Sequence, residues 1–174
     1  EAESMPSSGV YHHRFGSLIR AYELVGFKPD RDYRYIEINK ALRQKHHETV
    51  AETIVMIESL GGRADRNMAT DILTINGEFT ASVVIARCQQ TPTGSFRWKI
   101  RLDTGLAPDI TVAIRMDSIN EHPMDYYLLP HCDMTTDRLR LAEENGLILD
   151  AYRFETLDFF YAMAERARIS EIAA

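Results

Sequence analysis

The chain changes its hydrophobic period twice. In the first third, apolar residues recur every three or four positions. Phe15, Leu18, Ile19, Tyr22 and Val25 follow this spacing, with Gly26 as a stop. Ser7 and Ser8 are suitable N-caps before a short turn. After a loop at FKPDRDY, Tyr35, Ile38 and Leu42 suggest another helix. The run HHETVAETIVMIESLGG is the clearest one. Val50, Ile54 and Ile57 share a face that Met56 and Leu60 broaden, and Gly61-Gly62 ends it.

After Gly62 the period shortens. DILTIN, EFTASVVIARCQQ, SFRWKIRL, DITVAIRM and DYYLLPH read as strands, separated by Asn76-Gly77, TPTG, TGLAP and DSINEHP. Short links between successive strands predict a central antiparallel β-meander of about five strands. Further on, Thr135 or Thr136 caps a predicted helix TDRLRLAEEN, closed by Gly146. LILDAYRF is ambiguous. ETLDFFYAMAERARI reads as an amphipathic helix with Leu157, Phe160, Met163 and Ala164 inward. Helices at both ends of a central sheet make the class α+β. The expected division is 1–62, a basic helical segment resembling a helix-turn-helix, and 63–174, the sheet with C-terminal helices. The two parts could equally form one compact domain.

Period two sorts the strand side chains into faces. In SFRWKIRL, Phe96, Trp98, Ile100 and Leu102 share one face, and Arg97, Lys99 and Arg101 share the other. In DITVAIRM, Ile110, Val112, Ile114 and Met116 lie opposite Thr111, Ala113 and Arg115. Pairing these strands would give a basic patch over an apolar core, suited to phosphates. A solvated face whose cations meet acids on neighbouring strands has the same pattern.

Composition narrows the class. The chain has 174 residues, enough for one domain with a core, and is 45% hydrophobic and 26% charged. No apolar run is long enough to span a bilayer, and EAESMPSSG is too polar for a signal peptide. The absence of Met at position 1 suggests a fragment or processed product. Two cysteines, Cys88 and Cys132, without CxxC spacing, point to a reducing, cytoplasmic setting. The net charge of −6 argues against nonspecific coating of nucleic acid. Yet Val10 to His47 holds eight Lys/Arg against four acids, and a basic end can bind DNA locally because charge is screened over about 8 Å.

Those cations are the first DNA-contact candidates: Arg14, Arg20, Arg31, Arg34, Lys40 and Arg43, joined by Arg97, Lys99 and Arg101. Basic helices also commonly face only water. An alternative is a Mg²⁺-dependent nuclease-like site from strand-end acids Glu78, Asp103, Asp109 and Asp125, with Lys99 nearby. The spacing of a (D/E)xK motif is missing, and strand-end acids are often turn residues. His122, His131, Cys132 and Asp133 include metal-ligand types, but their spacing fits no zinc module. His12-His13 and His46-His47 read as solvated helix ends. With no Gly-rich phosphate loop, HExxH or GxSxG, no cofactor or metal is expected.

The string PSSGVYHHRFGSLIRAYELVGFKPDRDY resembles a segment that follows the catalytic part of bacterial serine site-specific recombinases of the resolvase/invertase type. Its RFGSL…AYELVGF core also resembles short DNA-binding repeats that accompany homing endonucleases. The runs ING-EFTASVVIARC, RWKIRLD, PDITVAIRMD and DYYLLP look like the rest of the same recombinase C-terminal region. The resemblance implies a noncatalytic DNA-binding or accessory domain, with DNA and other recombinase subunits as partners and no membrane. Family members carry a Tyr-x-Arg-x-Ser type motif, whereas Tyr11, Arg14 and Ser17 are spaced differently, so the nucleophile does not transfer to Ser17. The four-Cys zinc ribbon of large members is missing. A third reading is a protein-interaction module docking through Leu157, Phe160 and Tyr161.

Overall fold

Turn residues set several corners of the chain. In the computed structural model, which describes residues 7–27, 34–102 and 105–167, Asn76 (φ 55°) and Gly77 (φ 70°) both take left-handed backbone. That conformation lets adjoining strands fold back tightly. The helices are α1 (Ser8–Phe15), α2 (Leu18–Leu24), α3 (Arg34–Ser59), α4 (Leu147–Asp150) and α5 (Asp158–Ala164). The strands are β1 (Ala64–Arg66), β2 (Leu73–Ile75), β3 (Phe79–Ala86), β4 (Cys88–Gln90), β5 (Phe96–Arg101), β6 (Ile110–Met116), β7 (Pro123–Pro130), β8 (Arg138–Leu141) and β9 (Arg153–Phe154). The class is α+β. The chain divides into two units, Glu1–Lys40 and Ala41–Ala174.

In the first unit, Ser17 caps α2 by accepting a hydrogen bond from the Arg20 amide at 3.1 Å. Ser7 precedes α1 without making such a bond. Gly16 (φ 79°) ends α1. After α2, the Phe27 amide returns to the Tyr22 carbonyl at 2.9 Å and the two rings meet at 5.2 Å. The two helices expected across residues 35–62 are one continuous helix, α3, since no glycine or proline interrupts Arg34–Ser59.

The second unit replaces the expected meander with two sheets. Six strands run β1-β2-β3-β6-β7-β9, and three run β4-β5-β8. The central pair β3–β6 is parallel, with Val83 opposite Val112. The chain between them leaves the large sheet to build β4 and β5, so β6 re-enters in the same direction as β3. Burial explains the partition. Every residue from Thr111 to Met116 is buried, as in a strand covered on both faces. By contrast, β5 alternates, with Trp98 and Ile100 inside and Lys99 and Arg101 outside.

β8 is a further correction. Within the segment expected to be helical, Arg138–Leu141 is strand, and Thr136 Oγ1 donates to the Arg138 carbonyl at 3.0 Å instead of capping a helix. Leu139 and Leu141 turn inward beside Ile100 and Trp98. Pairing with β5 overrides the helical propensity of the segment.

The small sheet packs Cys88, Trp98, Ile100, Leu102 and Leu141 against Ala86, Ala113, Tyr127 and Leu129. Trp98 Nε1 donates to the Met116 carbonyl at 2.7 Å. Arg115, expected on a basic surface, is fully buried. Its guanidinium carbon lies 4.6 Å from the Trp98 ring centre and 5.1 Å from that of Tyr127, within cation–π range. Its Nε donates to Asp125 Oδ1 at 2.6 Å and Nη2 to Oδ2 at 2.5 Å, while Nη1 reaches the Ala142 carbonyl. Arg153 adds a 2.8 Å bond to Asp125. Asp125 therefore takes part in a buried, fully bonded charge network.

Candidate nucleic-acid interface

The three-stranded sheet turns one face to the core and one to solvent. Opposite the core pair Cys88–Trp98, the next pair on the outer face is Gln89–Arg97. Along the β5–β8 ladder, Lys99 stands opposite Arg140 and Arg101 opposite Arg138. All four are exposed. Side chains directly opposite in an antiparallel pair have Cβ atoms roughly 5 Å apart, and like charges there are destabilising. Arg138 approaches Asp137 at 3.9 Å, a long contact between exposed groups. Lys99, Arg101 and Arg140 have no acidic partner among the described residues.

The expected triad Arg97, Lys99 and Arg101 therefore shares one face and gains two cations that the sequence reading assigned to a helix. The alternation Arg138, Leu139, Arg140, Leu141 repeats the cation–apolar pattern of β5 and was the available signal.

Next to this face lies a cleft of about 220 Å³, lined by His46, Asp71, Ser82, Val84 and Arg101 among others. His46 Nε2 lies 3.0 Å from the Val83 carbonyl, which accepts its proton. This bond ties α3 to β3 and argues against His46 as a merely solvated helix end. Asp71 has φ 59°, a backbone region that Asp tolerates better than most residues. Its Oδ1 accepts from Arg66 Nη2 at 2.8 Å, so a cation already balances its charge. Arg101 belongs to both the cleft and the cationic face.

In the first unit, Arg14 and Arg20 are exposed on α1 and α2. Arg14 lies 5.8 Å above the Phe15 ring centre. Arg34 opens α3, and Lys40 on the same helix is exposed. Arg43, in the second unit, is also exposed. Arg31 lies outside the described residues.

The proposed nuclease acids have other engagements. Glu78 pairs with Arg166. Asp109 Oδ2 accepts from the Thr80 hydroxyl and amide, both at 2.7 Å, which holds its carboxyl below the usual range. Asp125 is bound by Arg115 and Arg153. Asp103 lies outside the described residues. Among the described residues, no three His, Cys, Asp or Glu side chains converge as a metal site. His131, Cys132 and Asp133 form a short turn in which Asp133 accepts from the Tyr152 hydroxyl at 2.6 Å. Phe160, named for docking, is fully buried and meets Phe79 edge-on at 6.4 Å. No helix among the described residues is long and apolar enough to cross a membrane.

Comparison with known proteins corrects the family resemblance. No protein-family profile matches the sequence, nor does any curated protein. Among solved structures, the chain is similar to the bacterial homing endonuclease I-Ssp6803I. Identity is 16% over 67% of this chain and 87% of that one, with a TM-score of 0.39. Nothing links the chain to serine recombinases, resolvases or DNA recombination. The leading string PSSGVYHHRFGSLIRAYELVGFKPDRDY reads as short basic helices and the other four as alternating strands, patterns that many folds share.

Proposed function

We propose that this chain binds DNA through the outer face of β4, β5 and β8. Lys99, Arg101, Arg138 and Arg140 would contact phosphates. The observation that carries this reading is the same-sign register: cations stand opposite cations on a solvent face, and among the described residues the one acid that approaches them is Asp137, 3.9 Å from Arg138. A face evolved for stability alone would favour opposite charges across the ladder. Phosphates resolve the repulsion, since each contact releases counterions. In the first unit the exposed helical cations Arg14, Arg20 and Lys40, with Arg31 and Arg34, are second candidates for DNA contact, and in the second unit exposed Arg43 is a separate candidate. The test is a fluorescence-anisotropy titration with labelled duplex DNA at rising salt. The affinity should fall steeply with salt, and the double variant K99E/R101E should bind markedly more weakly. Unchanged affinity in that variant would remove the sheet face from the proposal.

A second reading is a Mg²⁺-dependent nuclease-like domain. Its supporting observation is the cleft itself, whose lining includes both Asp71 and Arg101 of the cationic face. The carboxylates expected to hold the ion do not fit that role, because Glu78, Asp109 and Asp125 are bound to Arg166, Thr80 and Arg115 respectively. Nicking of supercoiled DNA by the purified protein with Mg²⁺, abolished by D71N, would favour this reading. Intact plasmid would count against it.

A further inference from the structure

We infer that Gln89 and Arg97 are a base-reading pair within the sheet's DNA face, an assignment that rests on the DNA-binding proposal and adds sequence readout to it. The two residues are paired across β4–β5 and share the face that carries Lys99 and Arg101. They differ from the four cations beyond them. Gln89 is neutral, so it adds nothing to phosphate attraction, yet it occupies the same face. Its side-chain amide has no partner among the described residues, while the neighbouring Gln90 amide donates to the Gly94 carbonyl at 3.2 Å.

The chemistry of the pair matches base edges. A glutamine amide can bond both N6 and N7 of adenine, and an arginine fork can bond O6 and N7 of guanine. Arg97 Nη1 is occupied by the Phe96 carbonyl at 2.6 Å. That bond fixes the guanidinium and leaves its Nε and Nη2 free of any described partner. Directly opposed strand residues sit roughly 5 Å apart at Cβ, comparable to the rise of about 3.4 Å between adjacent base pairs. The pair therefore suits neighbouring or next-neighbouring bases. Strands can present such side chains in the major groove, which is about 12 Å wide. In this arrangement Lys99 and Arg140, then Arg101 and Arg138, follow along the ladder to hold the backbone.

The test is selection from duplexes with a randomised central segment, followed by salt titration of wild type, Q89A and R97A. Wild type should enrich an adenine within two steps of a guanine. Q89A should lose the adenine preference and R97A the guanine preference, each by roughly tenfold. Neither variant should change the salt slope, whereas loss of a phosphate contact would lower it by about 0.9. Binding of the pool without any enriched motif overturns the inference and leaves the DNA-binding proposal standing. Preferences retained in both variants overturn the inference in the same way. Failure of wild type to bind the pool at low salt overturns both.

Discussion

Lys99 and Arg140 face each other across the β5–β8 ladder, both exposed and without an acidic partner among the described residues. One ladder step pair further, Arg101 and Arg138 repeat the arrangement. The inner side of the same strands is Trp98, Ile100, Leu139 and Leu141, packed on the large sheet. The core thus dictates the register, and the register forces the cations together. Sliding one strand by a residue would relieve the repulsion but turn Leu141 to solvent.

This geometry separates stability from binding. Replacing Lys99 with Glu puts an acid opposite Arg140, so K99E should stabilise the fold by about 0.2–1 kcal/mol in urea denaturation. The same variant should bind DNA more weakly than wild type. A face that only meets water would show the stability gain with no change in binding.

Arg115 should be among the costliest side chains to remove. It is fully buried between Trp98 and Tyr127 and bonded to Asp125. R115M strands the Asp125 carboxylate, leaving it with Arg153 alone, and is expected to cost about 3–5 kcal/mol. The double variant R115M/D125L removes both charges and should recover part of the loss. Equal losses in the single and double variants would contradict this reading of the network.

The Tyr127 hydroxyl makes stability pH-dependent at the alkaline end. Burial and its hydrogen bond to Asp150 at 2.5 Å push its pKa up to about 12. The unfolded chain releases that proton near pH 10. Stability from this group is therefore complete below about pH 10 and is lost as pH rises through 12. Asp150 has the opposite sign: the same bond lowers its pKa, so its contribution holds above about pH 4 and falls away in acid. Y127F should flatten the loss between pH 10 and 12, followed by thermal melts across that range.

Gly62 fixes how the end of α3 meets the end of α5. A Cβ there would lie 2.5 Å from the Ala164 carbonyl oxygen and 2.9 Å from Ile57 Cγ2. G62A should destabilise by about 1–3 kcal/mol through overpacking, read as a lower denaturation midpoint. G77A, with φ 70° and open space around its Cβ, should lose only what left-handed backbone costs, about 1 kcal/mol.

What the sequence made legible was local. The alternation in SFRWKIRL placed Trp98 and Ile100 inside and Lys99 and Arg101 outside, as observed. The long helical stripe at Val50 and Ile57 was equally plain, and both residues are fully buried. What stayed hidden depended on distant pairing. Nothing local says that β3 and β6 run parallel, because the decision lies in β4 and β5 leaving for a second sheet. Arg140 was misplaced for the same reason: its alternation with Leu139 and Leu141 was visible, but RLRLAEEN also suits a helix until β5 supplies a ladder. Arg115 looked like another outward cation, since its burial rests on partners from β5, β7 and the 142–143 segment. The recombinase resemblance failed because it leaned on short helical and strand patterns without long-range specificity.

The most direct measurement is the salt dependence of DNA affinity in wild type and in K99A/R140A, a pair exposed enough to be removed without unfolding the domain. In anisotropy titrations from low to physiological salt, wild type should show a steep log–log slope. The variant should lower that slope by about 1.8, two phosphate contacts' worth. An identical slope and affinity in the two proteins would contradict a DNA-binding role for this face.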